Sequence, residues 1–500
     1  MNRKRRFVYT TFFSIARQAA SVVCGFILPR LFLTRFGSDV NGLAASVTQF
    51  LTIANVFDAG MSAVLQAYLF TPLAEKDDRK VSQVMTSGQR FYYRVVVLFL
   101  IFVAGLAALY PLFVRDFSYI FTATLIFAIS LSSFGQYCFG VTNSAVIEAD
   151  QKGYINHIAS LVTIILNTLV AAVMIRLGFS VQIVKLSSSF VFLLRPLYLM
   201  LYVRRHYNIN WHEPYEKDPV TQKWNGFAQH LANIVNMNTD MAVLTVFATL
   251  RDVSVYSVHF MVVHGIELVV EATVNGVRAL LGDMYARKEI RLLNEAFDKI
   301  EWAIHMEVIL LYTITSVVIV PFIMVYTRDV TDADYYAPLF AMLLCLAYGA
   351  YCIRMPYFAV IKSAGHFRQT QRSSVIEAAL NIGISLVMVW RLGIIGVTLG
   401  TLAAMVYRTL YLVWYLSRDI LKRPMSKFWK SMAIDAVCVC LMAAGTFRFS
   451  HLCGSYAEWF LMALKIFLLA SAICAAVNYI FARDNMRYVA REVRRRIRKG

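Results

Sequence analysis

Charge is what this sequence lacks most. Only 16% of its 500 residues are Asp, Glu, Lys or Arg, against about 25% in ordinary soluble chains. Apolar residues reach 59% and the mean hydropathy is +0.58. A soluble fold has nowhere to put so much apolar surface. A secreted enzyme, a DNA-binding factor and a disordered hub are therefore excluded, and the net charge of +19 need not imply a nucleic-acid partner.

Catalytic signatures are missing too. No Gly-rich phosphate loop with Lys, no His-x-x-x-His pair and no Gly-x-Ser-x-Gly elbow occurs. The longest polar connection is about 24 residues, too short for a nucleotide-binding domain, so ATP drive within the chain is excluded. No enzyme activity, catalytic residue or cofactor is expected. Asp329, Asp332 and Asp334 cluster without the Gly and terminal Glu of a calcium loop. Cys438-x-Cys440 lies in an apolar run without nearby His, so no metal site is expected there either. Seven of the eight cysteines lie in apolar stretches and only Cys453 in an exposed loop, which leaves no external disulfide framework.

Long apolar runs fill the chain instead. A bilayer-spanning helix needs about 20 mostly apolar residues. Fourteen stretches qualify: 8–34, 41–70, 92–114, 118–146, 154–175, 179–202, 226–249, 253–283, 302–327, 336–363, 369–390, 393–417, 427–447 and 456–482. The predicted fold class is all-α, a polytopic membrane protein. The N-terminus, the even-numbered connections with their adjoining span ends, and the tail hold 34 of the 49 Lys and Arg. The opposite connections hold seven, one each: Arg35, Arg115, Arg176, Arg251, Arg328, Arg391 and Arg448. That asymmetry is the positive-inside pattern and predicts cytoplasmic termini. The tail Arg483–Lys499 and the loop Glu289–Ile300 both carry apolar residues at helical spacing; the loop is expected to be an interfacial helix, and the tail either a plain topology anchor or an amphipathic helix on anionic lipid.

The chain also repeats itself. Gly135–Ile147 matches Gly349–Ile361 at six of thirteen positions, at an offset of 214. Asn167 falls on Asn381, Arg176-Leu-Gly178 on Arg391-Leu-Gly393, and the run from Arg195 on the run from Arg408. The predicted organisation is two six-helix lobes, 1–203 and 226–424, joined by a cytoplasmic linker, 204–225. Two further helices (425–482) and a basic cytoplasmic tail (483–500) follow.

Polar residues inside spans are costly and face a cavity or a partner helix. His264, Glu267, Glu271, Asn275 and Arg278 share one helix face. Gln229, Asn233, Asn236 and Asp240 form a second row, and Thr48, Thr52, Asn55, Ser62 and Gln66 a third, with Asp58 beside it. Glu377, Asn381 and Ser385 form a fourth. Arg17 and Arg354 each lie about nine residues from a span end, roughly 13 Å deep in a core of about 30 Å. Arg30, Lys185, Arg195 and Arg408 lie nearer span ends and are expected to snorkel. Lys465 is expected to pair with Asp435.

The chain resembles the polysaccharide flippases, of O-antigen or capsule type, in the multidrug/oligosaccharidyl-lipid/polysaccharide exporter superfamily. Phe36-Gly37, the segment Asp58–Leu69, Asp240 within Asn238–Leu244, and Val255-Tyr256-Ser257 carry the resemblance. It implies a fold like that of the superfamily's multidrug exporters, in a prokaryotic cell membrane. It also implies movement of undecaprenyl-linked oligosaccharide from the inner to the outer leaflet for surface polysaccharide. Glycan polymerase and glycosyltransferases are the implied partners. The superfamily's peptidoglycan-precursor flippases carry an Arg-Asp pair in span 1, whereas here Arg17 precedes Gln18 and Arg30 precedes Leu31. That departure points away from the peptidoglycan role.

The residues read alone agree with an anionic, hydroxyl-rich headgroup. Arg17, Arg354, Arg278, Asn55 and Asn236 are the expected substrate contacts. Asp240, Glu267 and Glu271 are the expected carriers of a coupling proton or sodium ion. Two other readings stay open: a cation-coupled drug exporter of the same superfamily, and a membrane-embedded glycan polymerase or transferase. Cysteines placed in the Ser38 and Asp332 loops are expected to label from outside in intact cells; protection of both would overturn the topology.

Overall fold

In the computed structural model the described residues are 3–58, 60–114, 116–215, 219–220 and 227–487. Sixteen α-helices and no strands are found among them. They are α1 Arg3–Ile53, α2 Met61–Glu75, α3 Asp78–Phe113, α4 Tyr119–Gly135, α5 Val141–Ala149, α6 Gly153–Arg176, α7 Val181–His206 and α8 Phe227–Phe247. There follow α9 Leu250–Ala286, α10 Ile290–Tyr326, α11 Pro338–Ile353, α12 Met355–Ser363, α13 Phe367–Leu392, α14 Ile394–Tyr415, α15 Ser426–Phe447 and α16 Tyr456–Phe481. Twelve described helical segments are long and apolar enough to cross a membrane. One of them, Tyr9–Asp58, is broken at Gly37 and serves two expected spans, and α8 occupies the seventh expected position. All fourteen expected spans therefore have helical counterparts.

Several boundaries differ from expectation for local reasons. Spans 1 and 2 follow each other without a loop and are separated by a kink at Gly37, whose non-helical backbone has a φ of 81° that only glycine adopts without strain. Span 2 is composite: the end of α1, a tight turn at Ala54–Asp58, then α2. The expected surface helix at Glu289–Ile300 is the first three turns of α10, continuous with span 9. Its Leu293 and Phe297 are buried. Arg423 locks this end, with two nitrogens donating to Glu301 at 2.6 Å each and one to Asp298 at 2.9 Å. The tail helix falls largely on residues 488–499, outside the described residues.

The repeat has structural counterparts. Between α4 and α5 the helix widens into a π-turn at Gln136–Gly140, and between α11 and α12 it breaks at Arg354. Gly140 and Arg354 are 214 positions apart. The second break follows from Pro356, which cannot donate a backbone hydrogen bond; the Arg354 N–H takes the Cys352 carbonyl instead. The repeated Arg-Leu-Gly ends both α6 and α13, with Gly178 at φ 82° and Gly393 at φ 53°.

Contacts divide the chain into two units, Met1–Val246 and Phe247–Gly500. In the first, α1 packs on α6, α4 on α7, α6 on α7, and α2 on α3 and α5. In the second, α13 packs on α14, α14 on α11, and α9 on α10 and α12. Helices α15 and α16 pack on each other and on α10. Asp435 of α15 does not pair with Lys465. It lies 2.6 Å from His305 Nδ1 of α10, and both groups are buried while Lys465 is exposed. The pairing is inward because α10, not lipid, faces Asp435. Trp302 Nε1 donates to Asn478 of α16 at 2.8 Å beside it.

Ser38 is fully buried, so the first topology reporter belongs at the exposed Arg35. Gly393 has φ 53° and ψ −128°, a region closed to residues with a Cβ, although no atom within 4 Å would meet one. Gly393→Ala is expected to destabilise the protein by about 1–3 kcal/mol through backbone strain alone. Thermal unfolding in detergent checks this; an unchanged midpoint would refute it.

Candidate substrate and ion-coupling sites

The buried charge of the second unit centres on Glu377 of α13. Arg354, fixed at the break between α11 and α12, donates to Glu377 Oε1. Arg408 of α14 places Nε 3.7 Å from Glu377 Oε2. Arg408 also donates to the Thr370 carbonyl at 2.8 Å and to the Ser373 hydroxyl. All three charged side chains are buried. Arg408 is thus turned inward instead of snorkelling, because the first turns of α13 offer it oxygen partners. One carboxylate thus serves two guanidiniums within this trio.

The α9 row enters the same region at one end. His264 Nδ1 lies 2.8 Å from Glu267 Oε2; Glu267 is buried and Phe260 stacks on the imidazole. Arg354 lies 4.5 Å from the Tyr351 ring centre, and the charges of Arg354, Glu267 and Glu271 all act on the Tyr351 hydroxyl. Of those three expected site residues, Arg354 is the one in contact with Tyr351. Glu271, Asn275 and Arg278 are exposed along α9, and Glu271 and Arg278 act on Lys362 of α12. Sequence reasoning missed Glu307 of α10, which accepts from Thr273 of α9 at 3.0 Å.

The first unit builds a related cluster from different residues. Glu148 of α5 accepts from Gln66 of α2 at 2.7 Å and from Asn156 of α6 at 2.6 Å. Asn156 Oδ1 in turn accepts from Arg195 Nε and Nη2 at 3.1 and 2.8 Å, so Arg195 also points inward. Arg17, Arg195 and Glu148 all act on His157. Arg17 donates to Gln18 at 3.3 Å, while its Nε is buried without a hydrogen-bond partner. Among the described residues Arg17 has no paired carboxylate. Again two guanidiniums face one carboxylate. Lys185 is turned inward too, with Nζ 4.4 Å from the Phe32 ring centre.

Asn55 accepts from the Tyr137 hydroxyl at 2.7 Å, and Asp58 from the Tyr92 hydroxyl. Asp240 is buried on α8, which contacts place in the first unit, whereas Glu267 and Glu271 belong to the second. On the same helix Asn238 accepts from Gln49 of α1 at 2.6 Å, and Thr245 bonds Ser46. The side chains of Gln229, Asn233 and Asn236 lie outside the described residues.

Solved structures share this architecture. The chain is similar to the lipid II flippase MurJ in an inward closed conformation, with TM-score 0.70 and 15% identity over 95% of this chain and 99% of that one. The eukaryotic MATE transporter AtDTX14 gives 0.60 and 11% over 87% and 99%. The MATE transporter ClbM in complex with Rb+ gives 0.55 and 15% over 86% and 98%. No family model and no curated protein matches the sequence. At these identities the likeness establishes the fold: this chain has the all-helical fold of MurJ and the MATE transporters.

The two deep arginines differ in a measurable way. Arg354→Ala removes the closer of the two guanidiniums at Glu377 and is expected to cost about 3–5 kcal/mol, as breaking a buried pair does. Adding Glu377→Gln should recover part of that loss. Arg17→Ala removes a cation with no carboxylate partner and is expected to change stability by less than about 1 kcal/mol. Thermal unfolding of the three purified variants checks the order; equal losses for both arginines would contradict it.

Proposed function

We propose that the chain is a membrane transporter for a polyprenyl-(pyro)phosphate-linked oligosaccharide, carried from the inner to the outer leaflet by alternating access without ATP. The observation that carries this reading is two guanidiniums to one carboxylate in each cluster, buried in the second unit and half-buried in the first, with Arg17 Nε left unpartnered. Arg does not deprotonate in proteins, so the surplus persists at any working pH. A diphosphate offers oxygens that guanidinium binds through two parallel hydrogen bonds. Within the first unit the sugar hydroxyls would meet Asn55 and Tyr137, and the prenyl chain would stay in lipid. Both termini lie in the cytoplasm, and lobes 1–203 and 226–424 supply the rocking bodies. The fold likeness to a lipid II flippase supports transport of a lipid-linked headgroup.

Coupling is assigned to buried acids. Glu267 and Asp240 are buried and Glu271 is exposed, so the first two are the stronger carriers of a proton or sodium ion. One observation favours a second reading: Glu267, Glu271 and Glu307 give the second unit an acidic region next to aromatic rings, which suits a lipophilic cation. The superfamily's drug exporters are the corresponding alternative.

Reconstituted protein separates the two. Arg17→Ala and Arg17→Lys are expected to weaken binding of a diphosphate-linked oligosaccharide by about ten- to hundredfold, the 1.5–3 kcal/mol of hydrogen bonds to a charged group. Glu267→Gln or Asp240→Asn should abolish ion-dependent flipping while leaving binding in place. Unchanged headgroup affinity in Arg17→Ala, together with ion-driven efflux of a lipophilic cation by the unmodified protein, would replace this reading with the exporter.

A further inference from the structure

The loop between α15 and α16 gathers three metal-binding residue types that the transport reading does not use. His451, Cys453 and Glu458 bring one ligand atom each within 4.8 Å of the others. The closest pair, His451 Nε2 and Glu458 Oε1, is 3.3 Å apart. Two ligands at about 2.0 Å from a tetrahedral ion stand about 3.3 Å from each other.

The surrounding contacts orient each ligand. His451 Nδ1 lies 3.1 Å from the Phe449 carbonyl, which places the ring proton on Nδ1. Nε2 then faces the Glu458 carboxylate oxygen, and that contact is met either by a second ring proton or by a metal cation between the two atoms. Glu458 Oε2 is fixed by the Gly454 N–H at 2.7 Å, and Arg328 holds the Gly454 carbonyl at 3.0 Å. The Met462 thioether stands 3.9 Å from Cys453 Sγ. A backbone bond on the far nitrogen and a hydrogen bond on the far oxygen are the supports that metal-bound His and carboxylate use.

We propose that this loop is a zinc-class metal site, with the Cys453 thiolate, His451 Nε2 and a Glu458 carboxylate oxygen as protein ligands and one position left to solvent. On the topology read from the basic residues, the loop carrying Arg448 lies on the outer side, and so does that carrying Arg328. The two meet here, so the ion would tie the α15–α16 hairpin to the end of α10. The bland alternative is a plain His–Glu ion pair capping α16, and Cys453 decides between them.

Untagged full-length protein in detergent is exposed to zinc chloride and freed of excess by dialysis, and its zinc content and thermal midpoint are measured. The unmodified chain is expected to retain one zinc and to melt higher with it. Cys453→Ser and His451→Gln are each expected to weaken zinc binding by at least about tenfold and to remove the zinc-dependent rise. Cobalt(II) in place of zinc should give a thiolate charge-transfer band that Cys453→Ser abolishes. No retained zinc in the unmodified chain, or the same zinc affinity in Cys453→Ser, would overturn the site. A Cys453→Ser variant that melts like the unmodified chain without zinc and fails to rise with it supports the site independently of total metal content.

Discussion

Glu377 is the charge on which the second unit turns. Removing an ion from water costs several kcal/mol even after the surroundings relax, and a guanidinium cannot escape that cost by losing its proton. Arg354 and Arg408 are both buried, so both need an anion nearby. Glu377 is the shared one, and through it the α11–α12 break, α13 and α14 are held in one arrangement. The same geometry leaves the pair of arginines under-neutralised. On the proposed function, stability and ligand binding would draw on one set of atoms, and the residue that fixes the helix break would also face the incoming anion.

The two repeats reach this condition along different routes. Arg195 and Arg408 occupy matching positions, and each reaches back to the beginning of the same helix in its repeat, Arg195 to Asn156 and Arg408 to Thr370. Asn156 and Thr370 are themselves 214 positions apart. That part of the scaffold was kept after duplication. The position of Arg354 is Gly140 in the first repeat, and the acid there is supplied by Glu148, eight residues further along the chain. The second cation comes from α1, as Arg17, with no carboxylate of its own. Each half thus gathers two guanidiniums around one carboxylate from different residues.

Much of this was legible in the sequence because it depends on spacing. Apolar run length located the long helices, and the match at offset 214 marked both helix breaks. Depth counting found Arg17 and Arg354. What the sequence withheld was the neighbour. Arg195 and Arg408 sit near span ends, where periodicity and depth both suggest snorkelling. Only the packing of α6 and α13 alongside shows oxygen partners within reach. Asp435 was assigned to the nearest basic residue on the next helix, but its real partner, His305, lies 130 residues earlier on α10. Glu148 was overlooked because it ends a short helix and belongs to no polar row. The His451, Cys453 and Glu458 group was invisible as a motif, since a loop folds it together without a fixed ligand spacing.

The two extra helices follow from the same rule that buried polar groups choose partners. A lipid-facing helix pair joined to the bundle by apolar contact alone has little to fix its rotation, since lipid chains are as apolar as the surface they would replace. Here α10 supplies fixed points: His305 to Asp435, Trp302 to Asn478, and the Val318 carbonyl to Trp459 at 3.1 Å. Apolar side chains around Ile309, Cys438, Met442 and Cys474 fill the space between. At the opposite end of the apolar core, Arg423 ties the segment leading into α15 back to Glu301 and Asp298 at the start of α10. Helices α15 and α16 thus belong mechanically to α10 and to the second unit. A motion that displaces α10 must carry them, or else break a buried ion pair at each step, which costs several kcal/mol.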